Sequence, residues 1–407
     1  MHHIVAFCLA FSGACLAASL NDCSTGRPNN GWVPYVAGVD PTLLDTYVTY
    51  WRYTVPIPQN GIHIRVTGRF PFGRYASFNV YDQVVKDRGD SLSDIEMKPN
   101  SGSVNPYLPG NDFHAENRDY TLNVVPQNLK EKFVNALALP ERDGEKGKAI
   151  ELWYRIYVPI KGHDGGVPIP SIEVFDPVSG KPVACPILSE IPYENDKARE
   201  NLVPPSSGDG NDAMFFPASG NAMYPNGHTS YLALRWHVGK PLFFGTDEKI
   251  MTFRFRTPTF PNSSDAQFTG FTGGEQVRYY SFCLSGVSTI TTDCLADYEI
   301  KCGTDGIATV VVGPEELRDE VKAKGLNFLG RGKLAIAFIA YRNLMTNPNF
   351  KGRFDDPMAV PPWTAADNEV ESAVEARQAR SYIGDYAPQG KLCTWSQYLE
   401  NACAENP

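Results

Sequence analysis

The stretch Arg74–Asp82, RYASFNVYD, alternates apolar Ala76, Phe78 and Val80 with Tyr75, Ser77, Asn79 and Tyr81. Residues 278–286, RYYSFCLSG, repeat the design: Tyr280, Phe282 and Leu284 alternate with Tyr279, Ser281, Cys283 and Ser285. A period of two sends alternate side chains to opposite faces of a strand, so both stretches predict strands with one apolar face. Pro126 and Pro314 each open a predicted short helix. In the second, Glu315 and Glu316 sit in the first turn, Lys322 and Lys324 in the last, and Gly325 just beyond. Many short strands, abundant Gly and Pro, and one helix per copy predict a mainly β chain. Its expected architecture is two tandem antiparallel β-sandwiches of jelly-roll type plus a helical C-terminal tail.

The repetition extends well beyond one strand. SLSDIEM (91–97) is echoed by CLADYEI (294–300), and GKAIELWYRIY by GKLAIAFIAYRNL, which sets Tyr154-Arg155 opposite Tyr341-Arg342. Upstream, DTYVTYWRYTV (45–55) faces NGHTSYLALRW (226–236) in the same order. A Gly, Pro and Asn-rich insertion, NSGSVNPYLPGNDFHAEN, reads as a loop in the first copy. The expected division is a signal peptide over 1–18, a first repeat over 31–160, a Pro-rich connector over 161–217, a second repeat over 218–348 and a tail over 349–407. A helix from Thr364 to Tyr382, with Thr364 as N-cap, is expected in the tail.

At 407 residues the chain has room for two cores, and 42% hydrophobic residues allow it to bury them. A net charge of −9 and the absence of a long basic run argue against a nucleic-acid partner. The apolar leader MHHIVAFCLAFSGACLAAS, ending in small residues, predicts export near Ala17 or Ala18, and no later stretch is long enough to span a bilayer. In an oxidising compartment the seven cysteines that remain are expected to pair. Cys283 with Cys294 and Cys393 with Cys403 are the nearest couples, and one thiol is left over. Asn262-Ser263-Ser264 is a glycosylation sequon.

YPNGHTSY followed by a strand, then RYYSF and CLADYEI, resembles the secreted tandem jelly-roll proteins of the domain of unknown function 1254/1214 group and its relatives. The tail GDYAPQGKLC is similar to the closing motif of such proteins. The resemblance implies a double jelly roll, of a kind able to oligomerise, and no assigned activity. Where that group places an acidic residue before Thr, this chain has His228-Thr229.

Candidate chemistry concentrates on the strand after Thr229. Leu232, Leu234, Trp236 and Val238 share one predicted face, so Tyr231, Arg235 and His237 share the other. Such a trio could serve a polysaccharide lyase, with Arg235 offsetting a uronate and His237 or Tyr231 moving the proton. Together with His228 it could instead line a ligand site, and a solvated sheet face is the plainest alternative. His228 and His237 fall on opposite faces, and no metal site or cofactor is expected. Arg74, Asp94, Glu96 and Arg155 in the first copy, and Arg278, Asp297, Glu299 and Arg342 in the second, predict one structural salt-bridge network used twice. Nucleotide-binding and common hydrolase signatures are absent. Three functions are compatible with this sequence: a secreted protein binding a carbohydrate, a small apolar molecule or a partner surface; an extracellular enzyme; or an assembly subunit packed as a homo-oligomer.

Overall fold

The computed structural model describes residues 23, 28–83, 88–144, 146–185, 212–217, 224–235, 242–243, 249–286, 288–354 and 381–403. Nine strands build the first half: β1 (Val33–Tyr35), β2 (Val48–Pro56), β3 (His63–Arg69), β4 (Tyr75–Asp82), β5 (Arg88–Ser93), β6 (Asp119–Val125), β7 (Ala136–Ala138), β8 (Ala149–Tyr157) and β9 (Ser171–Phe175). The second half follows with β10 (Asp212–Pro217), β11 (Thr229–Arg235), β12 (Leu242–Phe243), β13 (Lys249–Arg256), β14 (Tyr279–Ser285), β15 (Thr291–Ala296), β16 (Ile307–Gly313), β17 (Asn327–Gly330), β18 (Ile336–Leu344) and β19 (Gln389–Thr394). Two short helices, α1 (Arg318–Ala323) and α2 (Trp395–Leu399), belong to the second half.

The first half is β-sandwich-like, with a five-stranded sheet ordered β1-β2-β8-β4-β5 and a four-stranded sheet ordered β7-β6-β3-β9. The second half runs β15-β14-β18-β11-β10 and continues through β19-β13-β16-β17. Omitting β12, the two halves therefore pair their strands in the same order. One difference is closure: β10 bonds both β11 and β19, so the sheets of the second half join into one. In the first half the described residues place a backbone bond from Cys23 N to Ile172 O, 2.8 Å long, at the corresponding edge.

Three expectations need correction. The sheets are mixed, since β6–β7 and β16–β17 run parallel where antiparallel sandwiches were expected. The segment 161–217 is not a plain connector: β9 and β10 lie at its two ends, because Ile172, Val174 and Phe215 supply the apolar alternation that buries them. The tail contributes a sheet strand, β19, followed by α2, which Thr394 caps by accepting a bond from Gln397 N. Most of the helix expected from Thr364 to Tyr382, and the leader, lie outside the described residues.

Cys283–Cys294 and Cys393–Cys403 are disulfides, and Cys23–Cys185 is a third that closes a separation of 162 residues. In the chain-entropy account a loop of that length contributes about 5 kcal/mol. Among the described residues Cys302 is the free thiol, and it is exposed. No helix among the described residues is long and apolar enough to cross a membrane.

The alternation of β4 and β8 now has a physical cause. Ala76, Phe78, Val80, Leu152, Tyr154 and Ile156 enter the first sandwich core, whereas Tyr75, Tyr81, Trp153 and Tyr157 enter a separate core between the halves. Every residue of β4 is buried, so its polar face is covered by the other half of the chain rather than by water. Charge crosses this junction reciprocally. Arg74 of the first half contacts Asp297 of the second, and Arg278 of the second lies 3.7 Å from Asp94 of the first. Arg74 and Asp297 are both fully buried, so each supplies the compensation the other loses from water. Arg74→Met is therefore expected to cost about 3–5 kcal/mol at neutral pH, read by denaturant unfolding. Arg69→Met, at a half-exposed surface pair, is expected to cost under about 1 kcal/mol.

Candidate functional site

The junction core is not filled. A cavity of about 130 Å³ lies within it, walled by Tyr50, Trp153, Arg155, Tyr157, Tyr224, Tyr231 and Arg342 among others. Registers explain the gap. Ala340 of β18 pairs with Cys283 and Ala233, in the place where Trp153 of β8 pairs with Asn79 and Arg52. Alanine thus stands on one side of the junction where an indole stands on the other.

Two guanidinium groups border this space. Arg155 donates to Asn79 Oδ1, to Tyr81 OH at 2.8 Å and to Tyr224 O at 2.7 Å; it makes no ion pair among the described residues. Arg342 donates from Nη2 to Leu43 O, and its Nη1 lies 3.9 Å from Asp45 Oδ2 without a hydrogen bond. The two bonds to backbone carbonyls are reciprocal, each arginine reaching into the opposite half. Leu43 and Tyr224, the acceptors, both hold left-handed backbone, with φ of 56° and 54°. Asp45 is itself buried and already accepts from Tyr279 OH and Ser281 Oγ.

The phenols around the cavity each accept a bond. Tyr50 OH accepts from Asp45 N at 3.0 Å, Tyr231 OH from Asn226 N at 3.2 Å, and Tyr157 OH from Asn226 Nδ2 at 3.3 Å. Burial pushes Tyr157 up to about 12 against the opposing pull of Arg155 and Arg342, so its O–H stays protonated at neutral pH.

His228 belongs to a different arrangement. Its Nε2 lies 3.0 Å from Glu96 Oε2 and its Nδ1 2.9 Å from Tyr75 OH, so it links the halves. Burial opposes ionisation of Glu96, yet hydrogen bonds from His228 and Ser93 hold its carboxyl down at about 2. Tyr75 is fully buried, His228 is partly buried and the Glu96 end of this Glu–His–Tyr chain is exposed. Tyr47 and Glu299 form the matching contact on the other side.

The residues singled out in the sequence are thus distributed unevenly. Tyr231 lines the cavity, but Arg235 ends β11 with no described side chain, and His237 lies outside the described residues. Arg74, Asp94, Glu96, Arg155, Arg278, Asp297, Glu299 and Arg342 all reach the junction, and each makes at least one contact between the halves. Trp153, Tyr157 and Tyr224 were not singled out; the signal for the first two was the polar face of a strand with bulky aromatics on both sides. Asn262 is exposed, and Ser264 bonds it at 2.6 Å. A second depression, about 330 Å³, lies near Arg69 and Asp119, whose charges already pair at 3.3 Å. Asp45, Cys283 and Cys294 come close together, but both sulfurs are in a disulfide.

No family model matches the chain, and no curated protein does. Among solved structures, an uncharacterized protein from Burkholderia cenocepacia aligns at 11% identity over 90% of this chain and 82% of its own, with a TM-score of 0.50. A Vibrio parahaemolyticus protein from a structural-genomics consortium aligns at 12% identity over 75% of this chain and 86% of its own, with a TM-score of 0.42. The first of these supports the overall fold alone.

The junction carboxyls make stability depend on pH. Burial pushes Asp94 up to about 6 even though Arg278 pulls it down, and Asp297 is raised in the same way against Arg74. A carboxyl raised in the folded state stabilises the fold fully below its unfolded value near 4, and that stabilisation is lost as pH rises through about 6. The protein should therefore melt higher at pH 5 than at pH 7.5, with about 3 kcal/mol at stake for Asp94. Asp94→Asn should flatten this profile. A melting temperature that falls steadily from pH 7.5 to pH 5 would contradict it.

Proposed function

We propose that this chain is an exported, duplicated β-sandwich protein of jelly-roll type, and that it binds a small polar molecule in the cavity between its halves. The observation that carries this proposal is an aromatic-walled space bordered by two buried guanidiniums. Export is supported by the three disulfides and the apolar leader. Duplication is supported by the shared strand order and by the reciprocal contacts across the junction, and kinship with the tandem jelly-roll group belongs to the same proposal.

Size and chemistry narrow the ligand. Sites for drug-sized molecules run to roughly 300 Å³ and above, so a sugar chain is too large for this space. An apolar ligand would leave the guanidiniums unsolvated. Of the trio that suggested lyase chemistry, Tyr231 is the member placed on the described cavity wall, so a binding role is the better supported reading. A thermal-shift screen of small neutral and charged molecules tests binding. At least one should raise the melting temperature, and Ala340→Leu, which fills the space, should abolish that shift. If no compound acts, or if the shift survives the filling substitution, the cavity is not a binding site.

A further inference from the structure

The polar atoms around the cavity are unequal in kind. The O–H groups of Tyr50, Tyr157 and Tyr231 each have an oxygen that accepts a bond, and none donates one among the described residues. Arg342 Nη1 is buried and donates to nothing among the described residues. The orientation of Asn226 is fixed, because its Oδ1 accepts from His228 N at 3.1 Å, so its Nδ2 must face Tyr157. The unmatched groups thus comprise three phenolic donors and one guanidinium donor, with Thr42 Oγ1 able to act either way.

Charge is unequal too. Arg155 and Arg342 bring two positive charges to one partly open space, and among the described residues Asp45 stands against the second alone. A buried cation without a counter-charge is costly, and a ligand that supplies the charge removes that cost. Acceptors carrying negative charge also make the strongest bonds to such donors. A volume of about 130 Å³ lies below the roughly 300 Å³ at which sites for drug-sized molecules begin, which favours a small ligand.

We infer that the cavity binds a small oxyanion, either a short carboxylate of acetate size or inorganic phosphate, held by Arg155 and Arg342 and by the phenols of Tyr50, Tyr157 and Tyr231. This rests on the binding role proposed above and adds the chemical class of the ligand.

The test uses the full chain with its disulfides intact, dialysed free of small anions. Acetate, inorganic phosphate and acetamide are titrated separately by calorimetry and by thermal shift. Acetamide has the shape of acetate without its charge. Acetate or phosphate should bind and raise the melting temperature, and whichever binds more tightly identifies the carboxylate or the inorganic source. Acetamide should bind at least about tenfold more weakly, because a bond to a charged partner is lost. Arg342→Met and Tyr157→Phe should each weaken the anion by about tenfold. Tyr157→Phe keeps the ring and the fold, so it decides the matter should Arg342→Met not fold. Equal binding of acetate and acetamide would overturn the oxyanion while leaving a small-molecule site in place. Anion binding unchanged in Tyr157→Phe would place the ion elsewhere and overturn it as well. Failure of every probe, acetamide included, would overturn both the oxyanion and the binding role.

Discussion

Buried guanidinium groups constrain this molecule more than any other feature. Arg74, Arg155 and Arg342 lie between the halves with almost no solvent contact, and each must find acceptors there. Arg74 finds Asp297; Arg155 and Arg342 find the carbonyls of Tyr224 and Leu43 in the opposite half. Apolar surface alone would let two sheets slide over one another. A set of charge-assisted bonds at fixed places permits a single register, a role for buried ion pairs that goes with specificity more than with raw stability.

The same constraint explains where a site can arise. Six contacts across the junction come in three matched couples: Arg74–Asp297 with Arg278–Asp94, Tyr279–Asp45 with Tyr75–Asn226, and Tyr47–Glu299 with His228–Glu96. Matched contacts leave little space. The cavity appears where the match fails, with Trp153 against Ala340 and a single carboxylate, Asp45, for two cations. Asn226 takes the place that Asp45 holds in the other half and carries no charge. Shape and charge therefore depart from balance at the same spot.

Much of this was legible in the chain. Strands β4 and β14 and two of the disulfides follow from local alternation and spacing, and Tyr154-Arg155 and Tyr341-Arg342 hold like places in the registers of β8 and β18. What local pattern could not carry was the direction of the contacts. Alternation assigns Tyr75 and Asn79 to a polar face, but whether water or another sheet covers that face depends on how the halves dock. For the same reason Arg74 and Asp94 look like partners within one copy, whereas their charges meet Asp297 and Arg278. Strands β9, β10 and β19 were missed because each is only five or six residues long, the first two lie within a Pro-rich stretch, and each has a partner distant in sequence. The pocket depends on Ala233 and Ala340, which carry no chemical signal of their own.

Differential scanning calorimetry of the intact protein tests most directly whether the junction makes one body of the two halves. With the polar contacts buried as described, neither half can unfold without exposing the unpaired charges of the other. A single transition is therefore expected, with calorimetric and van't Hoff enthalpies in agreement. Two resolved transitions, each with the enthalpy of about half the chain, would show that the halves fold independently and would contradict the account.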